Sequence, residues 1–289
     1  MSAHINEFLA QAKTRVETVL DRVVPSTTHI PGTLHEAMRY SLMAGGKRLR
    51  PGLCYAAFED CGGRGEAADW GAAALEMVHT FSLIHDDLPC MDDDDFRRGM
   101  PTCHKKFGEA MAVLAGDALS ILAFQVLARA GNAQAISVLA DALGSDGMLG
   151  GQVVDILSEG KPCTLETVDY IHVHKTSALI EASLELGAVL AGADESRRKL
   201  YRDYGRAIGL AFQIVDDILD IESSTEELGK DVGSDVENQK ATYPAVVGLE
   251  ESKKRARQLV DHALQLTTQM GPRGPVLADL ARFIVERGN

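Results

Sequence analysis

Proline is almost missing from the middle of this chain: none lies between Pro101 and Pro162 or between Pro162 and Pro244, although nine occur in all. A proline inside a helix removes a hydrogen bond and clashes with the preceding turn, so long proline-free runs are where long helices can form. Both runs carry apolar residues at helical spacing, for example Leu179, Leu184, Leu186 and Leu190, then Tyr204, Ile208, Ala211, Val215 and Leu219. Alternating, strand-like runs bounded by turn residues are few. Clusters of helix breakers near 24–32, 61–65, 89–101, 144–151, 158–162, 192–196, 223–234 and 271–275 leave room for roughly ten helices. No fixed-period repeat and no composition shift marks a linker. The expectation is one all-α domain over residues 1–289.

Composition supports this and narrows the partners. Aromatics make up only 5% of the 289 residues, while Ala and Leu are plentiful, which favours packed helices over sheets. The net charge of −13 argues against nucleic acid, whose binding needs a basic footprint. Cys54, Cys61, Cys90, Cys103 and Cys163 are odd in number and form no C-x-x-C pair, so a zinc site or disulfide framework is not expected and a reducing cytoplasm is. The segment MSAHINEFLAQAKTRVETVL lacks the basic start and apolar core of a secretory signal. Residues 110–128 approach membrane-spanning length, but Asp117 sits near their middle and would be costly in lipid. A helix buried on all sides of a bundle is expected there, with no stable membrane insertion.

Two acid clusters stand out. The first reads Ile84-His85-Asp86-Asp87-Leu88-Pro89-Cys90-Met91-Asp92-Asp93-Asp94-Asp95 and follows an amphipathic run over 72–88. Pro89 biases Leu88 away from helical backbone, so the helix should stop there. Asp86 and Asp87 then fall in its last turn, where the helix dipole disfavours negative charge by about 0.3–1 kcal/mol each. The second reads Gln213-Ile214-Val215-Asp216-Asp217-Ile218-Leu219-Asp220, with Asp216 and Asp220 four apart on one face and a helix end expected near Ile221. Two helices with the same locally costly arrangement call for a compensating positive charge. A hard divalent cation suits such oxygen ligands; Mg²⁺ takes one or two carboxylates and completes its shell with water and phosphate oxygens. Solvated helix ends with surface charge are the plain alternative for either cluster alone. Neither cluster has EF-hand spacing. A His-Asp phosphohydrolase is suggested by His85-Asp86, but the other histidines supply no supporting pattern.

Cations are placed selectively as well. Gly45-Gly46-Lys47-Arg48-Leu49-Arg50-Pro51 joins a flexible backbone to three of them, and Arg97-Arg98-Gly99 follows the first acid cluster. Arg grips phosphate oxygens bidentately and Lys supplies a point charge. The first segment lacks the nucleotide P-loop pattern.

Taken in order, GGKRLRP, HTFSLIHDDLPCMDDDDFRRG, GDALSILAF, HKTSALIEAS and GLAFQIVDDILD, followed by GKD and QKATYP, resemble the trans-prenyltransferase (polyprenyl synthase) family. The match runs from about Lys47 to Pro244 and is nearest to bacterial farnesyl diphosphate synthases. No motif acid departs from the pattern; beyond Pro244 only a charged, helical tail matches. The resemblance implies an all-α bundle around a deep central cavity, commonly a homodimer, whose substrates are isopentenyl diphosphate and an allylic diphosphate. It implies Mg²⁺ ligation by Asp86, Asp92 and Asp216, three ions with substrate bound, with Asp87 and Asp220 in support. Lys47, Arg50, His79 and Arg98 are implied to hold isopentenyl diphosphate. Arg97, Lys175, Thr176, Lys230 and Lys240 are implied to contact the allylic diphosphate, with Gln213 facing the reacting centre. The implied reaction ionises the allylic diphosphate, and the isopentenyl double bond then attacks head to tail.

A growing chain would extend along the helix that ends in Asp86, past Phe81 and Ser82. Phe81 is bulky enough to stop it, so a farnesyl (C15) product is expected, with geranyl (C10) or geranylgeranyl (C20) as the alternatives. A silent partner subunit or a terpene cyclase would be a different class. A complete pair of motifs speaks against the first, and a second diphosphate site at Lys47, Arg50 and His79 against the second.

Overall fold

Buried apolar residues recur every three or four positions along the first helix, α1 (Ala3–Val23): Ile5, Phe8, Ala12, Val16, Val19 and Val23. That stripe is what a helix needs in order to lie against a core. The computed structural model describes residues 3–222 and 241–286, and helices dominate them. After α1 come α2 (Gly32–Leu42), α3 (Leu49–Asp60) and α4 (Ala67–Asp86). A two-residue hairpin, β1 (Phe96–Arg97) and β2 (Met100–Pro101), leads into α5 (Cys103–Phe107), α6 (Glu109–Leu127), α7 (Ala133–Leu143) and α8 (Met148–Ser158). Next, α9 (Leu165–Ile171) runs without a break into a π-helical stretch, His172–Ser177, and on into α10 (Ala178–Leu190). The long α11 (Glu195–Glu222) follows, and α12 (Tyr243–Val247), α13 (Leu249–Thr267) and α14 (Gly274–Glu286) complete the bundle. Lys230 and Lys240 lie outside the described residues.

The helices that carry the acid motifs are held from several sides. α4 is buried along nearly its whole length, from Ala68 to Phe81, and packs on α3, α6 and α10. α11 turns Tyr201, Tyr204, Ile208, Ala211, Val215 and Ile218 inward against α10 and α13. One hydrophobic cluster runs from Ile5 on α1 to Ile284 on α14.

α6 differs from the expectation. It is long and apolar enough to cross a membrane, yet it is buried on one side rather than all round. Ala112, Ala115, Leu119, Ala123 and Val126 pack inward, whereas Val113, Leu114 and Ile121 are exposed. Hydrophobic composition cannot distinguish a helix surrounded by its own chain from one with an apolar outer face.

Asp60 joins the far end of the bundle. Its carboxylate, fully buried at the C-terminus of α3, accepts from Gly271 N (2.8 Å), Arg273 N (2.6 Å), Arg197 (2.7 Å) and the Tyr201 hydroxyl. These donors offset both its desolvation and the unfavourable end of the α3 dipole. Asp60→Ala leaves Arg197 and two backbone N–H groups without their acceptor. A loss of roughly 3–5 kcal/mol is expected, the cost of breaking a buried, hydrogen-bonded charge pair, measurable by equilibrium urea unfolding; a loss below roughly 1 kcal/mol would contradict this role.

Candidate active site

The first acid motif turns back on its own helix end. α4 stops at Asp86 with Asp87 as its cap, and the Asp92 N–H donates to the Asp86 carbonyl at 2.9 Å. Leu88 N donates to His85 O (3.2 Å), and Met91 N and Asp93 N both donate to Leu88 O. These bonds satisfy carbonyls that a helix end leaves unpaired. They also give the five intervening residues a purpose: the loop is long enough to return Asp92 to the side of Asp86.

Asp86 lies in a crowd of charge. Burial is the main reason its carboxyl is pushed up to about 6; Asp92 and Asp155 push the same way, while Lys175 and Arg97 oppose. Asp87 is buried at 3% exposure and likewise pushed up to about 6 by burial, with Arg97 opposing. Arg97 Nε donates to Asp87 at 2.5 Å and its other arm reaches Asp94 at 2.8 Å. Asp87 therefore orients Arg97, and an anion reaching this guanidinium has to share it with Asp87 and Asp94.

Asp155 was not anticipated from the sequence. It projects from α8, is nearly buried, and accepts from Lys175 Nζ at 2.5 Å. An acid within the apolar run Met148-Leu-Gly-Gly-Gln-Val-Val-Asp-Ile was the available signal. Lys175 and Thr176 sit in the π-helical stretch, and π turns concentrate at functional sites. Thr176 donates to Gln213 Oε1 on α11 at 2.8 Å. One short segment thus sends Lys175 toward the first motif and Thr176 toward the helix of the second, where Asp216 and Asp220 occupy the last turns.

The cationic side is built around Glu76. Arg48, in left-handed backbone, is fully buried and donates to Glu76 (2.5 Å), Glu17 (3.1 Å) and Leu42 O (2.7 Å). Of the three cations in Gly45–Pro51, Arg48 is therefore structural. Arg50 lies near the same Glu76, and burial with Arg98 nearby pushes it down to about 10. Its Nε is buried without a hydrogen-bond partner among the described residues, as an anion-binding group would be. Arg98 and Gly99, both at positive φ, form the tight hairpin turn, and Arg98 donates to Gly45 O. Gly46 has to be glycine: its φ is +114°, and a Cβ would meet the Arg98 guanidinium at 2.8 Å. Burial and the four arginines 48, 50, 97 and 98 hold His79 well below the usual imidazole range, so it is a neutral hydrogen-bonding group here. Lys47 is exposed, its Nζ 5.4 Å from the Phe283 ring centre.

Phe81 is buried on α4 and meets His85 edge to face (5.8 Å, 77°), and His85 Nε2 in turn reaches Val113 O on α6 at 3.1 Å. Ser82 bonds back to His79 O (2.9 Å). Outside the motif ligands, Asp93, Asp95 and His104 bring potential ligand atoms within 4.8 Å of one another.

Clustered carboxylates set beside arginines and a lysine make a donor set suited to metal-bridged, anionic ligands. A family model for polyprenyl synthetase matches residues 31–271. The geranylgeranyl diphosphate synthase of Cyanophora paradoxa is 47% identical over 98% of this chain and 96% of that protein. A heterodimeric geranylgeranyl pyrophosphate synthase large subunit of Arabidopsis thaliana is 48% identical over 98% of this chain and 80% of that protein. Among solved structures, an FPP/GFPP synthase of Zymomonas mobilis superposes with a TM-score of 0.87 at 37% identity, covering 99% of this chain and all of that one. The chain belongs to the polyprenyl synthetase family and is a prenyltransferase.

The acid cluster fits a divalent cation, since Asp86 is buried among further acids with too little positive charge to hold it in its ordinary range. The sign of the pH effect follows. A carboxyl whose folded pKa is raised binds its proton more tightly in the folded state, so without metal it lowers stability as pH rises from about 4 through about 6. A cation that binds only the carboxylate removes this penalty. Mg²⁺ is therefore expected to raise the melting temperature clearly at about pH 7.5 and little at about pH 5, with Asp86→Asn abolishing the difference. An increment independent of pH, read by scanning calorimetry in Mg²⁺ and in EDTA, would contradict the assignment.

Proposed function

We propose that this enzyme condenses isopentenyl diphosphate with allylic diphosphates head to tail, in a Mg²⁺-dependent reaction, and releases geranylgeranyl diphosphate (C20). The observation that carries the chemistry is the pairing of one acid-rich helix end with two separate cation sets. Lys175 and Arg97 adjoin Asp86, while Arg50, Arg98 and neutral His79 surround a different anion position. Two diphosphates need two such positions.

Asp86, Asp92 and Asp216 would hold Mg²⁺, three ions when both substrates are bound, and these would neutralise charge building on the departing diphosphate. Lys175 and Arg97 hold the allylic diphosphate, joined by Lys230 and Lys240 from outside the described residues. Its C1–O bond breaks with the electron pair passing to diphosphate, leaving a delocalised allylic cation. Gln213 and Thr176, fixed on each other, place polar oxygen beside that centre without offering a nucleophile. Lys47, Arg50 and Arg98 grip the second diphosphate, with His79 donating a hydrogen bond and adding no charge. The isopentenyl double bond forms the new C–C bond at C1, and the proton lost next goes to the released diphosphate.

On chain length the relatives favour the C20 alternative over the C15 expectation. Phe81 alone pointed to C15, but the curated relatives, about half identical over nearly the whole chain, are named geranylgeranyl synthases. Phe81 and the Zymomonas mobilis neighbour, named an FPP/GFPP synthase, are what favour C15 as the second reading.

The assay is incubation with Mg²⁺, isopentenyl diphosphate and dimethylallyl, geranyl or farnesyl diphosphate, followed by chromatography of the dephosphorylated products. Geranylgeraniol is the expected end product. Farnesol as end product would replace the C20 reading with C15, and no elongation would overturn the function. If Phe81 is the floor, Phe81→Ala lengthens the product by at least one C5 unit; an unchanged distribution places the floor elsewhere.

We further propose a homodimer. Support comes from the exposed apolar stripes Val113, Leu114 and Ile121 on α6, and Leu149, Val153, Ile156 and Leu157 on α8. Stripes of this kind on a soluble chain mark association surfaces. Sedimentation should show a dimer for the wild type and a monomer for Ile121→Glu/Val153→Glu. A monomeric wild type would overturn self-association and leave a different subunit as partner. The five free thiols are in keeping with a reducing cytoplasm as its location.

A further inference from the structure

Two side-chain pairs tie the π-helical stretch to α11, and the substrate site accounts for only one of them. Thr176 bonds Gln213. Four residues earlier on the first segment and four later on the second, His172 Nε2 lies 3.3 Å from Asp217 Oδ2. The pairs are successive rungs between segments that run in opposite directions. The Thr176–Gln213 rung is half-buried; in the other, both side chains are 4% exposed.

The buried rung has more partners. Asp217 Oδ2 also accepts the Tyr243 backbone N–H at 2.8 Å. The Tyr243 ring stacks on His172 (5.5 Å, 22°), and its hydroxyl donates to Asp169 at 2.6 Å, on the helix that runs into the π stretch. His172 Nδ1 has no hydrogen-bond partner among the described residues. A buried nitrogen left in that state costs free energy that a leucine or phenylalanine would not. Histidine at this position is therefore explained by its close pairing with Asp217. That contact in turn keeps an acid of the second motif pointing into the protein.

The backbone of the same stretch is fitted closely on two sides. A Cβ on Gly151 of α8 would come within 2.2 Å of Lys175 N, and one on Gly209 of α11 within 2.8 Å of Ser177 Cα. The widened turn that carries Lys175 and Thr176 is thus held between two helices at near-contact distance, with the His172 rung fixing its register.

We propose that His172, Asp217 and Tyr243 form a positioning latch for the allylic half of the site. Asp217 serves in it as an anchor rather than a metal ligand. The latch keeps the π stretch in register with α11, so that Thr176 meets Gln213 and Lys175 meets Asp155 beside Asp86. The isopentenyl half, built on Lys47, Arg50, His79 and Arg98, does not touch it. The kinetic part of the test rests on the proposed condensation.

Asp217→Asn separates anchor from ligand, because an amide oxygen still accepts both N–H groups but is a poor Mg²⁺ ligand. Turnover and Mg²⁺ dependence within a few-fold of wild type are expected for it. His172→Phe keeps the stack on Tyr243 and removes the donor. It should raise KM for the allylic substrate or lower kcat by roughly tenfold or more, the effect of losing a hydrogen bond to a charged group, with KM for isopentenyl diphosphate unchanged. His172→Asn, which can donate again, should recover part of the loss. Circular dichroism checks the folding of each variant; if His172→Phe does not fold, Asp217→Asn alone decides. Loss of activity together with a shifted Mg²⁺ requirement in Asp217→Asn would make Asp217 a ligand and overturn the latch. Wild-type kinetics in folded His172→Phe would overturn it too. If the wild type does not condense the substrates at all, the functional reading fails on its own. The latch is then judged by calorimetric titration of inorganic diphosphate with Mg²⁺: weakened binding in His172→Phe beside near-wild-type binding in Asp217→Asn supports it, and equal binding in all three proteins overturns it.

Discussion

Carboxylates gathered at the C-termini of helices are the constraint on which this structure turns. The carbonyls at the end of α4 already carry partial negative charge, and Asp86, Asp87 and the folded-back Asp92 add to it. Left alone, the arrangement would favour neutralisation by protons, and burial pushes Asp86 and Asp87 in that direction. The neighbouring elements moderate that tendency without removing it. Arg97 comes back across the hairpin to Asp87, and Lys175 arrives from the π-helical stretch between Asp155 and Asp86. A site held short of full neutralisation is ready to take up a cation, and through the cation a diphosphate.

The second anion position depends on a buried pair of the opposite kind. Arg48 and Glu76 are sealed in the core, and their pairing places one acid beneath several clustered arginines. Without Glu76, Arg50 and Arg98 would repel each other in a poorly solvated pocket. With it they can lie close together, and burial with the charge of the arginines keeps His79 uncharged. Acid below and cations above reverse the arrangement at Asp86, where cations lie among acids. Under the proposed function, the two polarities would suit two diphosphates held in different ways.

Much of this was legible in the sequence because local rules wrote it. Pro89 after a helical run fixed the end of α4 to within two residues, and the helix end expected near Ile221 put Asp216 and Asp220 in the last turns of α11, where that helix ends at Glu222. Roles set by distant partners were not legible. Arg48 and Arg50 are two residues apart in one basic motif, yet Arg48 is bonded to Glu76 and Glu17 on other helices while the Arg50 Nε has no hydrogen-bond partner among the described residues. Asp155 drew no reading from the sequence, because its role depends on its contact with Lys175 on another segment. The π-helical stretch has no sequence period of its own, and its register depends on close approach at Gly151 and Gly209. The outer face of α6 could not be read from composition, since apolar residues serve a core and an interface equally well. Product length was legible only in part: Phe81 points to C15, whereas the names of the relatives favour the C20 alternative.

The central claim is that Asp86, Asp92 and Asp216 bind divalent cations together with a diphosphate. Anomalous scattering from crystals grown with Mn²⁺ and an uncleavable allylic thiolodiphosphate tests it most directly. The account predicts Mn²⁺ peaks bridging the diphosphate to Asp86 and Asp92 on one side and to Asp216 on the other, with Lys175 and Arg97 on the phosphate oxygens. Mn²⁺ confined to Asp93, Asp95 and His104, or a diphosphate bound with no metal at either motif, would contradict it.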